Sequence, residues 1–320
     1  MITDHTHIKI NNGDIFTVRG FDNDKEIFAV PVYFVSLDGE RVLGSLHYRK
    51  AIDEFADEYT RKSPNMVIDT VYGRRVKIRQ GQINKIFDPF SDFPRIYSTI
   101  KNDDYRKVIN ALSRFVCLED IGFIGSSLVN FSTKDSDLDV VVRGLENYRK
   151  LKNNFSLILK EIDASCSISR KQFNKSVEKY NELFNKEHND FSCMIFNRWS
   201  TVHIPDKLFC KIRFTYDPKK DDLFYAPKNI ETAEAELCGK VISDEGVNFM
   251  PRHFKVKTDD GEEYLVITYF WDYSFCVSLG DRVVINGSLD KKNKIMIIGD
   301  RKSHGIKFSS DPQTICKILE

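Results

Sequence analysis

The sequence predicts an α+β chain in three parts: a small β-rich domain over residues 1–90, a mixed α/β domain over 91–226, and a second β domain over 227–320. Three observations lead there. Runs of β-branched and aromatic residues bounded by Asp, Gly and Asn fill both ends of the chain, whereas helical periodicity is confined to the middle. The stretch Phe87–Pro94, with prolines at 89 and 94, punctuates the first junction.

Composition narrows the class before any motif is read. The 48 Lys and Arg against 47 Asp and Glu give a net charge of +1, with 41% hydrophobic and 30% charged residues. Such a chain folds around ordinary cores and does not grip polyanions by bulk charge. No apolar run approaches the roughly 20 residues that cross a bilayer. The polar opening Met1–His7 lacks the order of a secretory signal, and the seven scattered cysteines form no C-x-x-C pair. The expectation is a cytoplasmic protein with reduced thiols, no membrane partner and no zinc site.

In the first part, Asp14–Phe21, Ile27–Val35 and Arg41–Tyr48 read as strands, the last two joined through an Asp38-Gly39 turn. Ala51–Arg61 reads as a helix, and Met66–Tyr72 and Val76–Arg79 as further strands. The cations of Arg74-Arg75-Val-Lys77-Ile-Arg79 suit a solvated sheet edge better than a nucleic-acid track.

In the middle part, the apolar positions Ile96, Ile100, Tyr105, Val108, Ile109, Leu112, Phe115 and Val116 predict one helix from Pro94 to about Leu118. Ile121–Ile124 is a short buried strand broken by Gly125-Ser126-Ser127, and Leu138–Arg143 is the next strand. Glu146–Ile162 and Ser169–His188 follow as helices, the second with Phe173, Val177, Tyr180 and Phe184 as its apolar stripe. Val202–Ile204 and Leu208–Tyr216 then form a hairpin around Pro205-Asp206-Lys207.

In the last part, short strands recur at Leu237–Ile242, Phe254–Thr258, Tyr264–Phe270, Arg282–Leu289 and Ile295–Gly299. Their spacing, the Gly280–Val283 turn into a strand and the later Asn286-Gly287 predict a small OB-like barrel. Tyr264, Tyr269, Phe270, Trp271 and Tyr273 are either a stacking surface for bases or, by the commoner use of such residues, core.

The candidate chemistry lies in the middle. A Gly-Ser turn at Gly125-Ser126-Ser127 leaves one strand, and ten residues later Asp137-Leu-Asp139 opens the next. Side chains alternate along a strand, so both carboxylates point the same way. Like charges so placed call for a cation between them, and paired hard oxygens suit Mg²⁺ or Mn²⁺ carrying a nucleotide's phosphates. The glycine admits a close phosphate and the serines donate to it. A triphosphate held so is set up for in-line attack at its α-phosphorus.

The stretch Gly122–Val142, with Gly-Ser followed by Asp-Leu-Asp-Val, resembles the signature of the DNA polymerase β-type nucleotidyltransferase superfamily, in the form of its small prokaryotic members. The motif covers about residues 122–144, with compatible elements over 95–217. The resemblance implies a mixed sheet packed with helices and metal-dependent transfer of a nucleoside monophosphate from an NTP to an acceptor hydroxyl, releasing pyrophosphate. It also implies Asp137 and Asp139 as catalytic metal ligands, and Gly125 and Ser126, with Ser127 beside them, as nucleotide-binding residues. Asp135 fits a turn or cap. The expected acceptor is RNA or another nucleic acid, because an OB-like appendage suits it, with protein side chains and small molecules left open.

One departure stands out. The superfamily's third carboxylate is expected on the strand Leu208–Tyr216, which carries Lys211 and Arg213 instead. Asp206 and Asp217 are the nearest acids by sequence, and both are also ordinary turn formers. Lys211 and Arg213 either bind phosphate or acceptor, Arg213 being taken as a nucleotide-binding candidate, or pair with the aspartates in a metal-free site. That second possibility is the alternative reading: a non-catalytic nucleotide- or nucleic-acid-binding module on a degenerate transferase fold.

Overall fold

A computed structural model describes residues 2–20, 26–51, 63–132, 136–166, 170–196, 198–204 and 208–309. The chain is mixed α+β and divides into two compact units. Met1–Asp69, Arg74–Ser167 and Ser200–Leu223 form the first; Thr70–Gly73, Ile168–Trp199 and Phe224–Glu320 form the second. The sequence segment 91–226 therefore runs through both.

The first unit opens with an antiparallel half-barrel sheet of β1 (His7–Ile10), β2 (Ile15–Val18), β3 (Glu26–Val35), β4 (Arg41–Leu43), β5 (Leu46–Lys50), β6 (Val67–Thr70), β7 (Gly73–Arg79) and β8 (Ile83–Phe87). The order is β4-β5-β3-β2-β1-β8, with β7 joining β3 to β6. Alternation buries Ile8, Phe16, Val18, Ala29, Phe34, Val76 and Ile78 in one core. Arg41–Tyr48, read as one strand, is a hairpin: Leu43 pairs with Leu46 around Gly44, whose φ of +65° makes the tight turn. The helix expected over Ala51–Arg61 lies outside the described residues. In the basic run, Arg75 is buried with its guanidinium 5.7 Å from the Phe28 ring, and Arg74 pairs with Asp69 at 2.9 Å.

The same unit continues through α1 (Phe93–Thr99), α2 (Asp103–Ser113), β9 (Ile121–Phe123), the single turn α3 (Gly125–Leu128), β10 (Leu138–Arg143), α4 (Leu145–Glu161), β11 (Thr201–Ile204) and β12 (Leu208–Thr215). One helix was expected over Pro94–Leu118, but two form. Asn102 interrupts them, its side-chain oxygen accepting from the N–H groups of Asp104 at 2.9 Å and Tyr105 at 3.3 Å, so that it caps α2. The sheet order is β11-β12-β10-β9, with β10 and β12 parallel and the outer pairs antiparallel. Helix faces close over it: Phe93 of α1 stacks on Phe123 of β9 at 5.0 Å, and Tyr148 of α4 meets Phe214 of β12 edge-on at 4.9 Å.

The second unit holds α5 (Arg170–Leu183), α6 (Phe191–Phe196) and the strands β13 (Ala233–Ser243), β14 (Arg252–Lys257), β15 (Glu263–Thr268), β16 (Arg282–Asp290), β17 (Ile295–Ile298) and β18 (Gly305–Phe308). Five strands close a barrel in the order β13-β14-β15-β17-β16, sealed by β13 against β16, and β18 adds to β16. The two helices belong with the barrel through rings: Phe184 lies 5.0 Å from Phe191 and 5.7 Å from Tyr273. Arg301 sits between Phe184 and Phe270, its guanidinium 5.0 and 5.2 Å from the two rings.

The outer side of β15 and β17 is not open. Ile267, Ile295 and Ile297 pack with Tyr72 and with Phe224, Ala226, Ile230, Leu265 and Tyr269. Phe270 and Tyr273 are buried and Tyr269 lies 5.4 Å from Tyr72, so most of the aromatic run serves packing. Among the described residues no helix is long and apolar enough to cross a membrane.

One buried group ties stability to pH. His7 donates from Nδ1 to the His5 carbonyl at 3.2 Å, while its Nε2 is buried without a hydrogen-bond partner among the described residues. Burial first, and the nearby Arg19 charge as well, hold the imidazole down to about 4 from its ordinary 6.5. Between those values the unfolded chain binds a proton that the folded one refuses, so stability falls as pH drops. Urea unfolding from pH 7 to pH 4 is expected to show a loss of roughly 3 kcal/mol from this group. His7→Gln should flatten the profile by that amount, and an unchanged slope would assign the dependence elsewhere.

Candidate functional site

The parallel pairing of β10 with β12 builds the centre of the site. Asp139 lies opposite Lys211 and Val141 opposite Arg213, so the carboxylates that open β10 share a face with the cations of β12. The other side of β10 is apolar: Leu138, Val140 and Val142 are all fully buried. That buried row sets the strand's orientation and turns Asp137 and Asp139 outward from the core.

Lys211 Nζ donates to Asp137 Oδ2 at 2.8 Å. The two side chains are 34% and 46% exposed, so the pair contributes about 1 kcal/mol or less and is readily exchanged. Asp139 is half-buried. Its carboxyl is pushed above the ordinary range, first by loss of solvent and also by Asp137, while Lys211, Arg213 and Lys50 oppose the shift.

The turn after β9 closes directly on this carboxylate. Ile124 N–H donates to the Asp139 carbonyl at 3.0 Å, and Gly125 follows with a φ of +63°. A Cβ at Gly125 would stand 2.9 Å from Asp139 Oδ2, so the backbone conformation favours glycine and an added methyl would have to push the carboxylate oxygen aside. The connection then folds back, Phe131 N–H donating to the Ser126 carbonyl at 2.8 Å. Ser132 Oγ lies 3.2 Å from Ser126 Oγ and 3.0 Å from Ser127 Oγ, forming a hydroxyl cluster beside the turn.

Residues not singled out in the sequence complete the surroundings. The Tyr105 hydroxyl of α2 donates to the Ser136 carbonyl and so fixes the chain as it enters β10. The N-terminal sheet contributes Tyr33 of β3, whose ring lies 4.8 Å from Phe131. Burial raises its hydroxyl to about 12; the Arg41 charge opposes this and Asp139 adds to it. Ser132, Tyr105, Tyr33 and Lys50 carry no local motif. Only their placement beside Gly125–Ser127 and the aspartate pair gives them meaning.

The candidates for a third carboxylate fall elsewhere. Asp206 and Asp135 lie outside the described residues. Asp217 lies beyond the Arg143–Thr215 end of the sheet, roughly 13 Å or more along the strands from Asp139. There it is a turn former: Asp217 Oδ1 accepts from Lys219 N–H at 2.9 Å, and its own N–H donates to Asp221 at 2.7 Å. That end is tied by its own network, with Arg143 Nη2 on Asp120 at 2.9 Å and Asn147 on the same carboxylate at 3.0 Å.

Among the described residues no three His, Cys, Asp or Glu side chains form a metal-binding cluster. Asp137 and Asp139 are two carboxylates, each able to give a metal one or both of its oxygens. This is too little for an all-protein cage, but it matches Mg²⁺, which keeps waters and takes the rest of its shell from phosphates. No protein family, curated protein or solved structure matches this chain.

Gly125→Ala is expected to cost about 1–3 kcal/mol in chemical unfolding, from the left-handed backbone and the contact with Asp139. In an Asp139→Ala background the carboxylate oxygen is gone and only the backbone part, about 1 kcal/mol, should remain. Equal losses in the two backgrounds would show that the turn does not press on the carboxylate.

Proposed function

We propose that this chain is a metal-dependent nucleotidyltransferase of the DNA polymerase β type, moving a nucleoside monophosphate from an NTP to an acceptor hydroxyl and releasing pyrophosphate. The observation that carries the reading is the seating of Gly125 against Asp139, which brings the Gly-Ser turn and the carboxylate pair into one site. A lone turn or a lone Asp-x-Asp would support nothing comparable. A four-stranded mixed sheet with helices packed on it is the frame this reading requires.

Asp137 and Asp139 would hold Mg²⁺ or Mn²⁺ together with the triphosphate. When bound, the ion supplies charge neutralisation to the attacking and leaving oxygens at the α-phosphorus. A metal on Asp137 would displace Lys211, whose ammonium, with Arg213 on the same face, would be placed to bind phosphate oxygens. Gly125 leaves room for a phosphate to approach the backbone, and Ser126 and Ser127 turn hydroxyl donors to it. Half-buried Asp139 is offset by cations on both sides, which keeps it a ligand despite its desolvation.

The acceptor class is drawn from the barrel. Its closed order of five strands, with β15 and β17 parallel and β13 sealing onto β16, supports reading it as an OB-type barrel, and that reading favours RNA or another nucleic acid.

Lys211 itself favours a second reading. It stands in register beside Asp139, where the superfamily pattern places a carboxylate, and it already satisfies Asp137. On that reading the chain binds nucleotide or nucleic acid without transferring anything. Transfer from radiolabelled NTPs to RNA in Mg²⁺ separates the two. Asp137→Ala and Asp139→Ala are each expected to lower the rate by about a hundredfold or more. Binding of NTP by the wild type with no transfer to any acceptor would remove the enzyme and leave the binding module.

A further inference from the structure

The chain after α3 is bent so as to bring Ser132 back to the Gly-Ser turn. The backbone reverses at Asn130, which is left-handed with a φ of +60°. Asn130 N–H donates to the Ser127 carbonyl at 3.3 Å, and Phe131 N–H to the Ser126 carbonyl at 2.8 Å. Phe131 is buried, its ring 4.8 Å from that of Tyr33 and 5.2 Å from that of Tyr48. Two tyrosines of the N-terminal sheet thus hold the connection down, and the next residue, the exposed Ser132, is left against Ser126 and Ser127.

The three hydroxyls hold three protons, and each hydroxyl is one donor with two acceptor lone pairs. Ser132 Oγ lies 3.2 Å from Ser126 Oγ and 3.0 Å from Ser127 Oγ, so two contacts use two of the protons. One proton is left over, and the direction of the two bonds decides which hydroxyl keeps it. If Ser132 accepts from both neighbours, Ser126 and Ser127 are turned toward it and neither can donate to a ligand. If Ser132 donates to one of them, that neighbour's own proton is released. A phosphate oxygen only accepts, so it favours the arrangement in which Ser132 donates inward and its neighbours donate outward. A hydroxyl that accepts one bond while donating another is also the stronger donor.

We propose that Ser132 is a positioning residue of the nucleotide site, donating to Ser126 or Ser127 and so aiming that hydroxyl at the triphosphate. This rests on the reading of Gly125, Ser126 and Ser127 as the seat of the nucleotide. Ser132 makes no phosphate contact of its own in this role. Phe131, Tyr33 and Tyr48 serve the site in the same indirect way, because their rings fix where Ser132 stands.

Equilibrium titration of the full chain with ATP, GTP, CTP and UTP, each in Mg²⁺, tests this, the tightest of them serving as the probe. Ser132→Ala is expected to weaken binding about fivefold, and Ser132→Thr, which keeps the hydroxyl, to stay within about twofold of wild type. The paired Ser126→Ala, Ser127→Ala variant keeps the metal seat and is expected to lose about twentyfold. It also removes the groups that Ser132 aims, so adding Ser132→Ala to it should change the affinity by less than about twofold. Wild-type affinity in Ser132→Ala would overturn the proposal. So would equal weakening by Ser132→Ala and Ser132→Thr, since the hydroxyl would then not be the cause. A loss of about fivefold that persists without the Ser126 and Ser127 hydroxyls would overturn it too, because Ser132 would then act on the ligand or the fold directly. If no nucleotide binds the wild type, the nucleotide reading fails and Ser132 loses its role with it; binding that Ser132→Ala leaves intact removes the role of Ser132 alone.

Discussion

Two like charges on one face of a strand, two residues apart and partly removed from water, are the constraint around which the first unit is arranged. Asp137 and Asp139 repel each other, and burial of Asp139 makes its ionised form costly. The fold answers from several sides. β12 runs parallel to β10 and brings Lys211 beside Asp139, where it bonds Asp137. The N-terminal sheet adds Lys50, and Arg213 lies one step along the same face. Those cations oppose the upward shift that burial imposes on the Asp139 carboxyl.

The same pairing explains why the two ends of the sheet differ. At one end, carboxylates and lysine meet in solvent, where an ion pair is weak and exchangeable. At the other, Arg143, Asp120 and Asn147 are knit into a network beside Asp217 and Asp221, with Asp120 buried. A satisfied, partly buried network is rigid and difficult to exchange. The sheet therefore has a fixed end and an open end, and the candidate chemistry lies at the open one.

Much of the fold could be read locally. Strands with alternating or fully apolar runs, such as β3, β10, β12 and β16, and the amphipathic α4, announce themselves because each buries one face of its own period. The readings that departed did so for identifiable reasons. The single helix over 94–118 split because one side-chain amide, Asn102, competes for backbone N–H groups. β1, β8 and β18 went unread because four or five residues with lysine or histidine among them carry little pattern until a partner strand is present. Residues Ile168–Trp199 fall between two strands of the central sheet in sequence, yet their rings pack with the barrel. Nothing in their periodicity says which core they join.

By itself the sequence determined the Gly-Ser turn, the spacing to Asp137 and Asp139, and the shared face of those two aspartates, because alternation along a strand is a local property. It also determined the absence of an acid on β12 next to them. Only the tertiary structure decided that a Cβ at Gly125 would meet Asp139, that Lys211 takes Asp137, that Asp217 belongs to the far end, and that the N-terminal sheet packs Tyr33 and Tyr48 on Phe131 beside the turn. These depend on strand register and on packing between segments distant along the chain, and a register shift of one residue would turn every one of those side chains to the opposite face.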